Sequence, residues 1–420
     1  MELEDTILNL NFLFNKLKKV FQSCKQPSKI TPDYAEAYCN IGVAYGELGQ
    51  YEKALEACKQ AIKIKPDDAD AYCNMGATYG VLGQYEKAFE ACKQAIKIKP
   101  HFAEAYYNMG VVYVKLGQHE KAFDAFKQAI KIKPDYAEVY CAMGAAYGVL
   151  GQYEKAVEAY NLAIKIKPNY ADAYDAMGSA YRELGQYEKG IEACKQAIKI
   201  KPDYAWAYCN MGVDYGNIGQ YKKALEACKQ AIKIKPDFAD AYYNMGIAYE
   251  KLGQYKKALE ACKQAIKIKP DYAEAYYNMG VAYEKLGQYE KAIESFKQAI
   301  KIKPDFAEVY INMGMAYGKL GQHEKVLETC KQALKIKPSF AEAHYNMGVS
   351  YGELDQHEEE IQAYKQAINI KPDYVEAHFN LGLTYVILGD RPSTLREHII
   401  LKGLDKEMAD KFFEMISPYF

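Results

Sequence analysis

A single tryptophan stands among 420 residues, and neither charge sign dominates: 54 basic and 55 acidic side chains leave a formal net charge of −1. Such a balance supplies no global field that would draw the chain to nucleic acid or to a membrane surface. No apolar run approaches the roughly 18 residues of a membrane span, and the opening MELEDTILNL is acidic where a signal peptide would be basic. Nucleic-acid binding and direct membrane insertion are therefore not expected. Catalytic signatures are missing too: there is no phosphate-cradling glycine loop, no H-E-x-x-H pair and no G-x-S-x-G elbow. The eleven cysteines are odd in number and form no C-x-x-C pair, so they read as buried small apolar residues with free thiols in a reducing cytoplasm. The expectation is a cytoplasmic protein that is not an enzyme and needs no cofactor or metal.

What is present is a period. Proline recurs every 34 residues without slippage at Pro32, Pro66, Pro100, Pro134, Pro168, Pro202, Pro236, Pro270, Pro304, Pro338 and Pro372. A fixed period of this length marks a repeat array, which overrides any domain count based on length. The segment Ala273–Phe306, AEAYYNMGVAYEKLGQYEKAIESFKQAIKIKPDF, serves as the frame, with position 1 at Ala273.

Within the frame, Ala273, Ala275, Tyr276, Met279, Gly280 and Tyr283 fall at helical spacing. Leu286-Gly287 ends this first helix, because glycine takes the left-handed terminal conformation at little cost. A second helix is predicted from about Glu290 to Lys303, with Ala292, Phe296, Ala299, Ile300 and Ile302 on its apolar face. Its acids lie early and its lysines late, which complements the helix dipole. Gly at 8 and Ala at 20 are small where two backbones must approach, and one hairpin cannot bury such a face alone. The units must stack.

Large aromatic at 4, Gly at 8, Tyr at 11, Ala at 20, Ala at 27 and Pro at 32 resembles the tetratricopeptide repeat. The resemblance implies an all-α, right-handed α-solenoid of antiparallel helix pairs whose first helices line a concave groove. It covers ten units over 35–374 and an altered eleventh over 375–404. Departures are Cys at 24 in place of an aromatic residue, Asp355 in place of Gly, and Val326, Glu360 and Thr394 at position 20, so the last three units are expected to pack less uniformly. Residues 1–34 read as a degenerate N-terminal repeat with the apolar stripe Leu3, Ile7, Leu10, Phe14, Leu17 and Phe21. Residues 405–420 read as a C-terminal capping helix.

Function should reside at positions 2, 5, 6, 9, 12 and 13 of the first helix, which the family exposes in the groove. Position 6 is asparagine in nine of eleven units: Asn40, Asn74, Asn108, Asn210, Asn244, Asn278, Asn312, Asn346 and Asn380, with Ala142 and Ala176 as the exceptions. An amide both donates and accepts, which suits it to a peptide backbone. The row is similar to the asparagine ladder of the repeat superhelix of O-linked N-acetylglucosamine transferase. Two other origins stand beside this one: inheritance from a copied parental unit, and stabilisation of a neighbouring helix. Position 2 is acidic in ten units and would favour a basic ligand if it faces the groove. Trp206 occupies that position in the sixth unit, as a binding anchor or by drift. The expected partners are other proteins, through extended or disordered segments. The function read from the sequence is a non-catalytic protein–protein interaction scaffold. A substrate-presenting subunit of a separately encoded glycosyltransferase and a structural part of a larger assembly are the alternatives.

Overall fold

The computed structural model describes residues 32–417. The degenerate repeat expected within 1–34 lies almost entirely outside the described residues. Among those described there are 23 helices and no strand. They divide into two compact bodies, Met1–Pro202 and Asp203–Phe420.

In repeat eight the first helix is Ala273–Lys285 and the second Tyr289–Ile302. Between them Gly287 sits at φ 70°. The Gln288 N–H donates to the Tyr283 carbonyl at 2.9 Å and the Gly287 N–H to that of Glu284 at 2.8 Å, closing the helix with both bonds of a Schellman motif. The same glycine recurs with positive φ in ten repeats, and Asp355 adopts φ 55° where it replaces it. Aspartate is among the few side chains that tolerate that region.

Position 24 seats the two helices of a repeat. Phe296 is fully buried, and a Cβ on Gly280 would lie 2.4 Å from its ring. Burial of such a side chain stabilises by about 1.5–3 kcal/mol. Cysteine fills the same seat elsewhere: a Cβ on Gly76 would lie 2.7 Å from Cys92 Sγ. The substitution at 24 is thus a smaller occupant of an unchanged site.

Within each body the second helix of a repeat packs on the first helix of the next. Successive first helices also touch, whereas successive second helices do not. First helices therefore form the tight, inner row. Lysine at position 31 folds back over the ring at position 34, as Lys303 does over Phe306 at 4.8 Å, and also meets the acid at position 2, Glu274, at 3.1 Å. The position-31 lysine is thus engaged at the joint between repeats.

The C-terminal end departs from this regularity. The second helix of repeat eleven, Arg391–Leu404, is capped by Asp390, which accepts from the Ser393 N–H at 3.1 Å, and carries Pro392 in its first turn. The closing helix Lys406–Ile416 buries Ala409, Phe412 and Ile416 against Leu401, Phe379 and Leu383. Ala409, Phe412 and Phe413 fall at positions 1, 4 and 5 of the 34-residue frame, so this helix continues the first-helix register.

Candidate functional site: the asparagine row on the inner helices

The asparagines at position 6 occupy one equivalent place on successive first helices, half-buried except for the exposed Asn40. Their amides are not idle. Asn74 Nδ2 donates to Cys39 Sγ at 3.1 Å, Asn108 to Cys73 Sγ at 3.2 Å and Asn244 to Cys209 Sγ at 3.3 Å. Asn312 donates to the Tyr277 hydroxyl at 2.8 Å and Asn380 to that of Tyr345 at 3.1 Å. Asn278 bonds Tyr243 in the same way. Each link joins position 6 to position 5 of the preceding repeat, 35 residues earlier. Asn108 also reaches the Cys73 carbonyl at 3.4 Å, which can only accept, so the amide nitrogen points toward the preceding repeat. Asn346 differs, because its counterpart at position 5 is the apolar Ile311.

The position-5 side chains are accordingly inter-repeat packing, not groove floor. Cys39, Cys73, Cys209 and Ile311 are buried, and Tyr277 stands between the rings of Phe296 and Phe306 with centroids 6.0 and 5.2 Å away. Burial pushes the Cys39 thiol up to about 11, against a smaller lowering by the Asn74 bond. Burial likewise pushes Cys58 and Cys262 up to about 12. This partner of the asparagine was not legible in the sequence, since a thiol or hydroxyl at 5 precedes Ala142 and Ala176 as well.

The acidic row at position 2 is partly spent. Glu104, Glu138 and Glu274 pair with Lys133, Lys167 and Lys303 at 3.6, 2.9 and 3.1 Å, and Asp240 accepts from the Tyr272 hydroxyl at 2.8 Å. Glu308, Glu342 and Glu376 remain exposed. Trp206 is 47% exposed and lies edge-on to Phe238, centroids 4.5 Å apart. At position 12, a Cβ on Gly46, Gly80, Gly148 or Gly216 would meet nothing within 4 Å. A crevice of about 510 Å³ opens elsewhere, among Ile266, Tyr276, Met279, Lys291 and Gln298, and includes none of the asparagines.

Tetratricopeptide repeat models match residues 35–68, 69–102, 103–136, 137–170 and 307–340, and again 237–305. A further repeat model matches 178–219, 214–253 and 353–389. The chain belongs to the tetratricopeptide repeat family. Similar solved structures include MamA, 31% identical over 39% of this chain and 95% of that one, with a TM-score of 0.36. YrrB, described as a TPR protein with an unusual peptide-binding site, is 25% identical over 44% of this chain and 96% of its own, at 0.39. The Cut9-Hcn1 hetero-tetramer of the APC/C is 13% identical over 93% and 99%, at 0.49. No curated protein matches the chain. No helix among the described residues is long and apolar enough to cross a membrane.

Proposed function

We propose that this chain is a non-catalytic scaffold that holds extended or disordered segments of partner proteins along its inner row of first helices. One observation carries the reading: asparagines recur at one place on that row, and Asn74, Asn108, Asn244, Asn278, Asn312 and Asn380 are each oriented by the repeat before them. With Nδ2 committed, Oδ1 is left to accept, so the row takes backbone N–H groups whatever the partner's side chains. Trp206 supplies an aromatic contact at one end of the C-terminal body. Glu308, Glu342 and Glu376 would favour a basic segment. In this reading 35–374 is the binding array, 375–404 an altered repeat and 405–420 its closing segment, with the whole acting in the cytoplasm.

The test is affinity for a partner recovered by pull-down. Changing Asn244, Asn278 and Asn312 to Ala should weaken binding by roughly 1.5–4.5 kcal/mol, about tenfold to a thousandfold, at about 0.5–1.5 kcal/mol per lost bond. That triple variant also removes links between repeats. Asn346→Ala removes none, so it should lower affinity by about 0.5–1.5 kcal/mol without moving the melting temperature. Unaltered affinity in both, with helicity preserved, would place the binding site elsewhere. Recovery of a glycosyltransferase chain as the main captured species would instead make this a substrate-presenting subunit.

A further inference from the structure

In two repeats the position-4 tyrosine caps a carbonyl of the preceding turn. The Tyr140 and Tyr310 hydroxyls donate to the Pro134 and Pro304 carbonyls at 3.4 and 3.3 Å. In repeat eleven His378 takes over this duty, with Nε2 3.1 Å from the Pro372 carbonyl. A carbonyl only accepts, so Nε2 carries a proton. Nδ1 lies 2.6 Å from Glu397 Oε2, on the second helix of the same repeat, where most repeats have Ala at position 23. The two side chains are 5% and 9% exposed. With Nδ1 protonated as well, the ring is an imidazolium clamped between a carbonyl and a carboxylate, across the two helices of the last hairpin.

We propose that His378 and Glu397 form a proton-operated fastening of the hairpin 375–404, closed while the ring is charged and slackened when Nδ1 loses its proton. A neutral ring that keeps its Nε2 bond turns a bare Nδ1 lone pair toward Oε2. Two acceptors then face each other at hydrogen-bond distance, and a buried carboxylate loses its partner. Opening relieves this and loosens Leu401, on which the closing helix packs through Phe412.

Burial works to lower the proton affinity of His378, but the Glu397 bond and the Pro372 carbonyl together hold it above the ordinary histidine value. A folded-state value raised in this way means that the stabilisation is full below about pH 6.5 and is lost as pH rises through the raised value. The neighbouring charged groups are engaged elsewhere. On the second helix of repeat ten, Glu360 bonds His357 at 2.9 Å and the Thr384 hydroxyl at 2.7 Å. In the preceding turn, Lys371 lies over the Tyr374 ring at 4.7 Å. His398, next to Glu397 in sequence, stacks on Phe412, and burial, then Lys402, lower its proton affinity. Asp410 on the closing helix opposes that effect.

Native-state hydrogen exchange of the full chain between pH 6 and 9, expressed as protection factors corrected for intrinsic rates, tests the proposal. Protection across 375–416 should fall by about tenfold or more through the titration while repeats seven and eight keep theirs. In His378→Tyr/Glu397→Ala, which restores the pair common in other repeats, protection should be flat with pH. Glu397→Gln, which keeps the shape without the charge, should also be flat and serves if the double variant does not fold. A flat profile in the unaltered chain, or the same fall in either variant, would overturn the proposal.

Discussion

Repeat eight and repeat ten have the same backbone and different interiors. In repeat eight Ala292 at position 20 is fully buried and Phe296 fills the seat on Gly280. In repeat ten position 20 is Glu360, a buried carboxyl group whose oxygens are satisfied by His357 and by Thr384 of the next repeat. Repeat eleven adds His378 and Glu397. The frame thus tolerates polar substitution where each new group arrives with a partner, and the cooperative apolar fill of the middle gives way to paired groups that can be discharged. Of the three repeats expected to pack less uniformly, ten and eleven take this form, whereas Val326 of repeat nine is buried in an apolar core shared with repeat eight.

The contrast can be broken most severely in the middle. Phe296→Ala should cost about 3–5 kcal/mol in urea unfolding, because it empties a seat with no polar substitute. A loss below about 1 kcal/mol would mean that the seat collapses and that repeat eight is no more apolar in its energetics than repeat ten.

Glycine at position 12 sharpens the comparison with one substitution at two sites. A Cβ on Gly352 would lie 2.8 Å from Glu360 Oε1, so Gly352→Ala should cost about 1–3 kcal/mol. Gly216→Ala meets nothing within 4 Å and should stabilise its helix by about 0.5–1 kcal/mol. Equal signs in calorimetry would remove the distinction.

Glu360→Ala restores the common residue at position 20. It should change stability by less than about 1 kcal/mol, since Thr384 retains its bond to the Asn380 carbonyl at 3.0 Å. A loss of several kcal/mol would show that the polar network is integral to the C-terminal repeats. The smallest effect concerns thiols, which repeats ten and eleven lack. With Cys58, Cys92 and Cys330 pushed up to about 12 by burial, a thiol reagent at pH 8 should react with the native array only on the timescale of its opening. Among the described cysteines the partly exposed Cys141, pushed up to about 11, should react first.

Much of the fold was legible because the physics is local and repeated. Pro304, Gly287 and the spacing of Tyr276, Gly280 and Tyr283 predict two helices and their turn, and the helices fall within a residue of the expected bounds. The place of the asparagines was legible for the same reason. Their partners were not: Asn312 and Tyr277 are 35 residues apart and meet only through stacking. The lysine at 31 gave no sequence sign of its partners, because its ring at 34 and its acid at 2 come together only in three dimensions. His378 and Glu397 stand apart in the sequence, and only the folded hairpin makes them one feature.

The link between position 6 and position 5 of the preceding repeat has a consequence for how such an array changes length. Where asparagine at 6 meets a thiol or hydroxyl at 5, donor and acceptor occupy the same two places, so excising a whole repeat between two such copies brings a new asparagine against a new thiol or hydroxyl and heals the joint. Removing repeat eight, for example, would set Asn312 beside Tyr243, the same pair of residue types that Tyr277 provides now. Recombination in register between copies that carry this pair can therefore shorten or lengthen the chain in steps of 34 residues without leaving a broken seam.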